Sequence, residues 1–276
     1  MARITPSFSP RNRLISPCSN FWAIDNMLSK AKIQYIKALE QKKFRQERQE
    51  FILEGRKMVL ELLKAPGPFR IKELYLQEDF PEPVQSSVAV YISAKEMERI
   101  SLQSTPSGAL AVVEIPKVPL APPRKDNLYL ALDGIRDPGN FGTILRLADW
   151  FDLAAVYASP DCVELYNPKT VQSTMGAILR VPVHYTPLAP LLKNCTLPVT
   201  GSVLQGGSSI NTTFLPCDGI IVLGNESNGI SPELLDHIPL KLYIPPYREG
   251  SESLNVATAA AIFCAVFRRN LPSLPR

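Results

Sequence analysis

The chain has 276 residues, of which 45% are hydrophobic and 20% charged, and its net charge of +4 permits nucleic-acid binding without requiring it. This length suffices for one large domain or two ordinary ones, and no run approaches the roughly 18 uninterrupted apolar residues of a membrane-spanning helix. Five cysteines without a CxxC pair, and only two histidines far apart, argue against a disulfide framework, a zinc site and metal catalysis.

Residues 1–26 are predicted to be a disordered extension or a targeting segment. They contain Arg3, Arg11 and Arg13 among many serines and prolines, as a mitochondrial transit peptide would, but the prolines disfavour an amphipathic helix. The organised sequence begins at Met27, which favours a disordered or wrongly assigned extension. The protein is therefore expected in the cytoplasm, with the mitochondrion as the alternative if residues 1–26 are a transit peptide.

Residues 27–115 are predicted to form a small α/β domain. Apolar residues between positions 28 and 63 fall at roughly helical spacing, and later runs indicate strands at 71–76, 88–92 and 109–113. A basic cluster interrupts the helical pattern and is either a solvated helix face or a patch that contacts phosphate: Lys42, Lys43, Arg45 and Arg48. The Pro-rich segment 116–126 has no helix or strand pattern and is predicted to be a semi-rigid linker.

A β-loop-α-β unit is predicted between residues 128 and 159. A strand at 128–132 meets an Asp-Pro-Gly-Asn turn, and a helix at 141–151 then leads to a strand at 154–158. Asn140 near the helix start and Arg146 further along can both point toward the loop end of the sheet. An arginine in an apolar helix is more often a solvated or salt-bridged surface residue, so this unit alone does not establish a site.

The next predicted elements are a helix at 168–179 and a strand at 198–204. Gly201 and Ser202 of that strand lie where a loop could approach a ligand. No GxGxxG or GxxxxGK[ST] motif follows a strand, which disfavours dinucleotide and Walker-type phosphate binding.

Two further buried strands, at 220–223 and 240–244, each end in a polar loop. The first loop begins with Gly224, Asn225 and Glu226, in which the glycine permits close backbone approach to a ligand. The second leads into an apolar helix at 256–267, for which Ser251 or Ser253 could provide the cap. Ligands of open α/β sheets bind beyond the carboxyl ends of the strands, although Gly-Asn and Asn-Gly pairs are also ordinary turn formers.

These segments, in this order, resemble the SpoU family of RNA ribose 2′-O-methyltransferases in the SPOUT superfamily. The family's three motifs match residues 140–146, residues 221–226, and Ile244-Pro245 with residues 253–256. The resemblance implies a knotted SPOUT-type parallel sheet flanked by helices over residues 127–276. It also implies that the preceding small α/β domain binds the RNA substrate and is related in fold to certain ribosomal proteins.

The resemblance further implies methyl transfer from S-adenosylmethionine to a ribose 2′-hydroxyl of ribosomal RNA, or of transfer RNA, by a homodimer. A non-catalytic RNA-binding protein that retains the fold is the alternative. The catalytic positions carried over from the family are Arg146, Asn140, Glu226, Ser253 and Asn255. The positions expected at the cofactor are Leu223, Gly224, Asn225, Ile244 and Leu254, with Gly201 and Ser202 beside them.

The chemistry of a guanidinium group limits the role that Arg146 can take. Such a group has a pKa above about 12 and is a poor base in its protonated form. We therefore expect Arg146 to hold a phosphate and stabilise developing alkoxide charge, and its deprotonation is the harder alternative. Asn140, Ser253 and Asn255 are expected to orient the nucleotide and Arg146, and Glu226 to position Arg146 or the loop.

Overall fold

A computed structural model describes residues 28–248 and 252–269. The expectations for residues 1–26, for a start at Met27 and for a cap at Ser251 lie outside these ranges. Within them, every helix is too short or too polar to span a membrane.

The elements of the described residues alternate between helix and strand along most of the chain. The helices are α1 (Lys30–Ala38), α2 (Lys42–Arg48), α3 (Arg56–Lys64), α4 (Ala94–Ile100), α5 (Pro138–Trp150), α6 (Pro168–Ser173), α7 (Leu188–Lys193), α8 (Pro232–Leu235) and α9 (Val256–Arg268), with a 3-10 turn at Ala177–Leu179. The strands are β1 (Glu50–Glu54), β2 (Ile71–Gln77), β3 (Ala89–Ile92), β4 (Ala109–Glu114), β5 (Leu128–Leu132), β6 (Ala155–Ala158), β7 (Val183–Tyr185), β8 (Val199–Ser202), β9 (Ser208–Ser209), β10 (Gly219–Leu223) and β11 (Leu240–Tyr243).

The N-terminal part is a small α/β unit built on a four-stranded sheet of order β1-β4-β2-β3. β4 pairs antiparallel with β1 and β2, and β2 pairs parallel with β3. The helical spacing predicted for residues 28–63 is wrong at positions 51 and 52. These two residues belong to β1, whose five residues are all buried in this sheet. A strand covered on both faces carries apolar residues on both, so its pattern cannot be told from a buried helix by spacing.

The C-terminal part is a parallel sheet of order β7-β6-β5-β10-β8-β11-β9, flanked by helices. Alternate residues of its central strands face opposite sides. Leu130 and Ile221 pack into the core that contains α5 and α9, while Tyr129 and Val222 pack into the core that contains α7 and α8. The parallel strands place the ends of β5, β8, β10 and β11 at one edge.

The two parts meet where α6 packs against β1. Arg45 is only 1% exposed, and its guanidinium pairs with both carboxylate oxygens of Glu164, at 2.6 and 3.2 Å. The ring of Phe51 lies 4.6 Å from that of Tyr166. Arg45 therefore does not belong to a phosphate-contacting patch, because its guanidinium is buried between the two parts and forms an ion pair with Glu164.

Candidate active site

Three amide and carboxylate side chains join the three motif segments at the carboxyl edge of the parallel sheet. Asn140 Nδ2 donates to Glu226 Oε1 at 2.7 Å, and Asn255 Nδ2 donates to Asn140 Oδ1 at 2.9 Å. Asn255 Oδ1 in turn accepts the backbone N–H groups of Ala257 and Thr258. This hydrogen-bonded chain, here called the amide relay, runs from the loop after β10 through α5 to the start of α9.

The first motif is held in place by a helix cap and by a close contact between helices. Asp137 Oδ1 accepts the backbone N–H of Asn140 at 2.8 Å, and Pro138 occupies the first helical turn. A Cβ on Gly142 would lie 2.5 Å from Cβ of Ser173, so α5 and α6 approach more closely than a side chain there would permit. Gly142 thus serves helix packing.

Arg146 lies one turn beyond Gly142 on α5 and is exposed. In residues 28–248 and 252–269 its side chain has neither an ion-pair partner nor a hydrogen-bond partner. Other arginines of this region are paired, for example Arg180 with Asp149 at 2.7 Å. The salt-bridged alternative for Arg146 is therefore not observed, and its charge faces solvent on the same helix that carries Asn140.

The loop after β10 folds back on itself. Backbone bonds run both ways between Asn225 and Gly229, and a Cβ on Gly224 would lie 2.1 Å from the carbonyl carbon of Gly229. Glycine is therefore needed at this position for the close approach of the loop's own backbone, whether or not a ligand also approaches it. The Asn225 side chain is also engaged within the protein, since its Nδ2 donates to the carbonyl of Gly134 at 2.7 Å.

Further hydrogen bonds, which the sequence did not predict, support the contact between Asn225 and Gly134 from the end of β6. The backbone N–H of Gly134 donates to Ser159 Oγ at 2.9 Å, and Ser159 Oγ donates to Asp161 Oδ1 at 2.6 Å. The bond from Ser159 holds the pKa of Asp161 below its ordinary value. An Asp two residues after a serine at a strand end is the signal that could have indicated it.

The expected cofactor positions lie at the ends of adjacent strands, and their main chains are better placed for a ligand than their side chains. Leu223 is buried in the core, and Ile244 is partly buried against it. Gly201 lies within β8, not in a loop, and a Cβ there would be 3.0 Å from Ile238. Ser202, the last residue of β8, is partly exposed.

The loop before α9 supplies the exposed side of this edge. Ser253 and Leu254 are exposed, Leu254 by 48%. The residue that caps α9 is Asn255, which corrects the expectation of Ser251 or Ser253. An exposed leucine on this loop offers apolar contact of the kind that suits a flat, largely apolar ring such as the base of adenosine. Among the described residues, no group of three or more His, Cys, Asp or Glu side chains could hold a metal ion.

Family models match both parts of the chain. Residues 127–265 match the SpoU rRNA Methylase family, and residues 30–111 match the MRM3-like substrate binding domain. The chain is 33% identical to RlmP, a 23S rRNA guanosine 2′-O-methyltransferase of Bacillus subtilis, over 84% of this chain and 93% of that protein. It is 30% identical to human mitochondrial rRNA methyltransferase 3, over 83% of this chain and 69% of that protein.

Two solved structures are similar over nearly their whole length. One, from Porphyromonas gingivalis, is described as a member of the TrmH family; its TM-score is 0.80 and its identity 37%, covering 88% of this chain and 99% of that one. The other is an AdoMet-bound rRNA methyltransferase from Sinorhizobium meliloti, with a TM-score of 0.78 and 26% identity, covering 90% and 97%.

The parallel sheet, the helices that flank it and the three motifs at its carboxyl edge define a SPOUT-type methyltransferase fold preceded by a small α/β domain. Within that class the chain belongs to the SpoU rRNA methylase family. The fold and the family expected from the sequence are confirmed.

Proposed function

We propose that this protein is an S-adenosylmethionine-dependent RNA methyltransferase that modifies a ribose 2′-hydroxyl. The amide relay carries the proposal, because it joins all three motif segments and includes Asn140 of the helix that carries the exposed Arg146. Ribosomal RNA is the favoured substrate over transfer RNA, since the similar proteins of Bacillus subtilis and human mitochondria are named as rRNA methyltransferases.

The cofactor would lie at the carboxyl edge of the sheet. The main chain at Leu223, Gly224 and Ile244 and the side chain of Leu254 would hold its adenosine, with Ser202 at the adjacent strand end. Asn225 would act indirectly by fixing the loop, through its bond to the carbonyl that follows β5. When bound, S-adenosylmethionine supplies a methyl group activated by a positively charged sulfur.

The residues of the chain would orient the ribose and stabilise the charge that develops on its oxygen. That oxygen would give its proton to water ahead of carbon–oxygen bond formation, so negative charge would build on it before the methyl group leaves the sulfur. The protonated guanidinium of Arg146 would stabilise this charge and hold an adjacent phosphate. Asn140 and Asn255 would orient the nucleotide, with Ser253 beside them, while Glu226 fixes Asn140 through the bond at 2.7 Å.

We also propose a homodimer that buries part of α9. Ala261 and Ile262 of this apolar helix remain partly exposed in the single chain, and Ala265 is exposed. Light scattering after size exclusion should give twice the monomer mass.

For localisation we propose the cytoplasm, with the mitochondrion as the alternative that the human relative's name supports.

The test is methyl transfer from tritiated S-adenosylmethionine to separate pools of unmodified ribosomal and transfer RNA, followed by digestion to locate the label. We expect label on ribose in the ribosomal pool, and its loss in Arg146→Ala with cofactor affinity retained. Label in the transfer RNA pool alone would reassign the substrate. RNA binding without cofactor binding would instead support the non-catalytic alternative.

A further inference from the structure

A cavity of about 420 Å³ lies at the joint between the small N-terminal sheet and the parallel sheet. The start of α6 forms one wall, and β1 with the segment after α4 forms the other. Its lining combines charged, polar and apolar side chains from both parts of the chain: Glu40, Ile52, Glu54, Lys169, Val171 and Gln172. Small-molecule sites typically measure roughly 300 to 1,000 Å³, so this cavity has room for a nucleobase and its ribose.

Glu54 is fixed in the wall of this cavity before any ligand binds. It is 5% exposed; the Ser101 hydroxyl donates to Oε1, and the backbone N–H of Leu102 donates to Oε2 at 2.9 Å. A carboxylate has about four acceptor positions, so two remain after these bonds. Burial raises the pKa of the Glu54 carboxyl, and the bonds from Ser101 and Leu102 and the charge of Lys37 offset this rise only in part. Two further N–H donors would complete its hydrogen bonding.

The polar side chains around the mouth of the cavity are also available. Glu40, Lys169 and Gln172 are exposed, and in the part of the chain that the structure describes only their backbone groups form hydrogen bonds. Two carboxylates and one ammonium group give the cavity a net negative charge. Such a cavity disfavours a phosphate but suits an uncharged ring that carries N–H donors.

We propose that this cavity binds an unstacked RNA base, and that Glu54 accepts hydrogen bonds from the N–H groups on the pairing edge of that base. The inference rests on the proposed function, because it takes RNA as the substrate. Guanine fits best, since its N1–H and N2 amino groups lie side by side and match the two free acceptor positions. Ile52 and Val171 offer apolar contact to the ring faces, as proteins that read splayed RNA bases do.

This base belongs to a neighbour of the methylated nucleotide. α6 separates the cavity from α5, and packed helices lie about 8 to 10 Å apart. A base at Glu54 and a ribose at Arg146 would therefore lie on different sides of α6. The cavity would select the sequence or shape of the RNA next to the target.

Binding can be tested without knowing the natural RNA. The isotope-labelled full chain is titrated with the 5′-monophosphates of guanosine, inosine and uridine, and the backbone amide of Leu102 is followed by NMR. Guanosine monophosphate should shift this amide and bind on the order of tenfold more tightly than the other two, because only it supplies both donors. Equal binding of all three, or no shift at Leu102, would overturn the proposal.

Variants separate a role of Glu54 in binding from one in folding. Glu54→Gln should lose the preference for guanosine monophosphate, while Glu98→Gln, the same change at an exposed position of α4, should keep it. Gln172→Arg tests the cavity from an exposed position. The new guanidinium can pair with the Glu54 carboxylate, so this variant should also lose the preference for guanosine monophosphate. Retained preference in both cavity variants would contradict the assignment.

Methyl transfer distinguishes this inference from the function on which it rests. With an RNA that the wild-type protein methylates, Glu54→Gln should raise KM for RNA by about fivefold or more, with kcat and S-adenosylmethionine affinity near those of wild type. An unchanged KM would overturn the cavity proposal and leave the enzyme function standing. If the wild-type protein methylates no RNA, the proposed function fails, and the nucleotide titration still decides the cavity.

Discussion

Replacing Asn140 with alanine should slow methyl transfer far more than it destabilises the fold. The side chain makes two hydrogen bonds in the amide relay, one to Glu226 and one from Asn255. A hydrogen bond contributes a net of about 0.5 to 1.5 kcal/mol, and both bonds are solvent-accessible, so a loss of about 1 kcal/mol in total is expected. In a chain of this size that lowers Tm by roughly 2 to 4 °C.

The effect on rate should be larger because the relay holds three loops in register. A misplacement of about 1 Å can cost roughly a hundredfold in rate, so kcat should fall by about two orders of magnitude. Affinity for S-adenosylmethionine should change little, since the strand ends proposed to hold it remain in place. Single-turnover transfer of a tritiated methyl group measures the rate, and equilibrium dialysis measures the affinity.

Asn140→Asp is the matched variant for this prediction. It keeps the acceptor for Asn255 but sets a second carboxylate against Glu226, so it should be at least as slow as Asn140→Ala. A fall in kcat below about fivefold for Asn140→Ala, equivalent to roughly 1 kcal/mol, would refute the view that the relay positions the site. Loss of cofactor affinity in a folded variant would refute the assignment of cofactor binding to the strand ends and of positioning to the amide relay.

Three further predictions concern the scaffold. Gly142→Ala should lower the free energy of unfolding in urea by about 1 to 3 kcal/mol, because its Cβ would overlap Ser173, whereas Ser173→Gly in the same chain should recover part of that loss. Glu164→Ala should cost about 3 to 5 kcal/mol by leaving the buried Arg45 without its counter-ion, and an Arg45→Met, Glu164→Leu pair should be much less harmful. Burial lowers the pKa of His184, so its neutral form contributes stability above about pH 6.5. This stability is lost as the pH falls through the folded pKa. His184→Gln should therefore reduce the fall of the urea unfolding midpoint over this pH range.

The strands of the parallel sheet were predictable because each is a short apolar run with a polar loop at its end. β5 matches its expected bounds of 128–132, and β10 and β11 differ from theirs by one residue. The expected helix at 168–179 is shorter, since Met175 and Gly176 both have positive φ and the chain continues as a 3-10 turn. Local backbone exceptions of this kind leave little trace in the apolar spacing on which the prediction depended.

The roles of individual site residues were less predictable than the motifs. Sequence identifies Gly224 as a position of close approach, but the contact that requires glycine there comes from Gly229 of the same loop. The need for glycine at Gly142 was not predicted, because it comes from Ser173 of another element. The partner of Arg45 likewise lies 119 residues away. Spacing gives residue types at a loop or helix face, whereas these pairings depend on how the two sheets and their helices pack.

One short helix, α6, contacts both Gly142 of α5 and the cavity proposed to bind an RNA base. One side of α6 fits against Gly142, and so fixes the helix that carries Asn140 and Arg146. Its other side lines the joint cavity through Lys169 and Gln172. A base held in the cavity and a ribose held at Arg146 would therefore be positioned by two faces of the same rigid element. Close packing of α5 on α6 then sets the spacing between the two nucleotides, because interhelical distance is determined by the side chains at the contact.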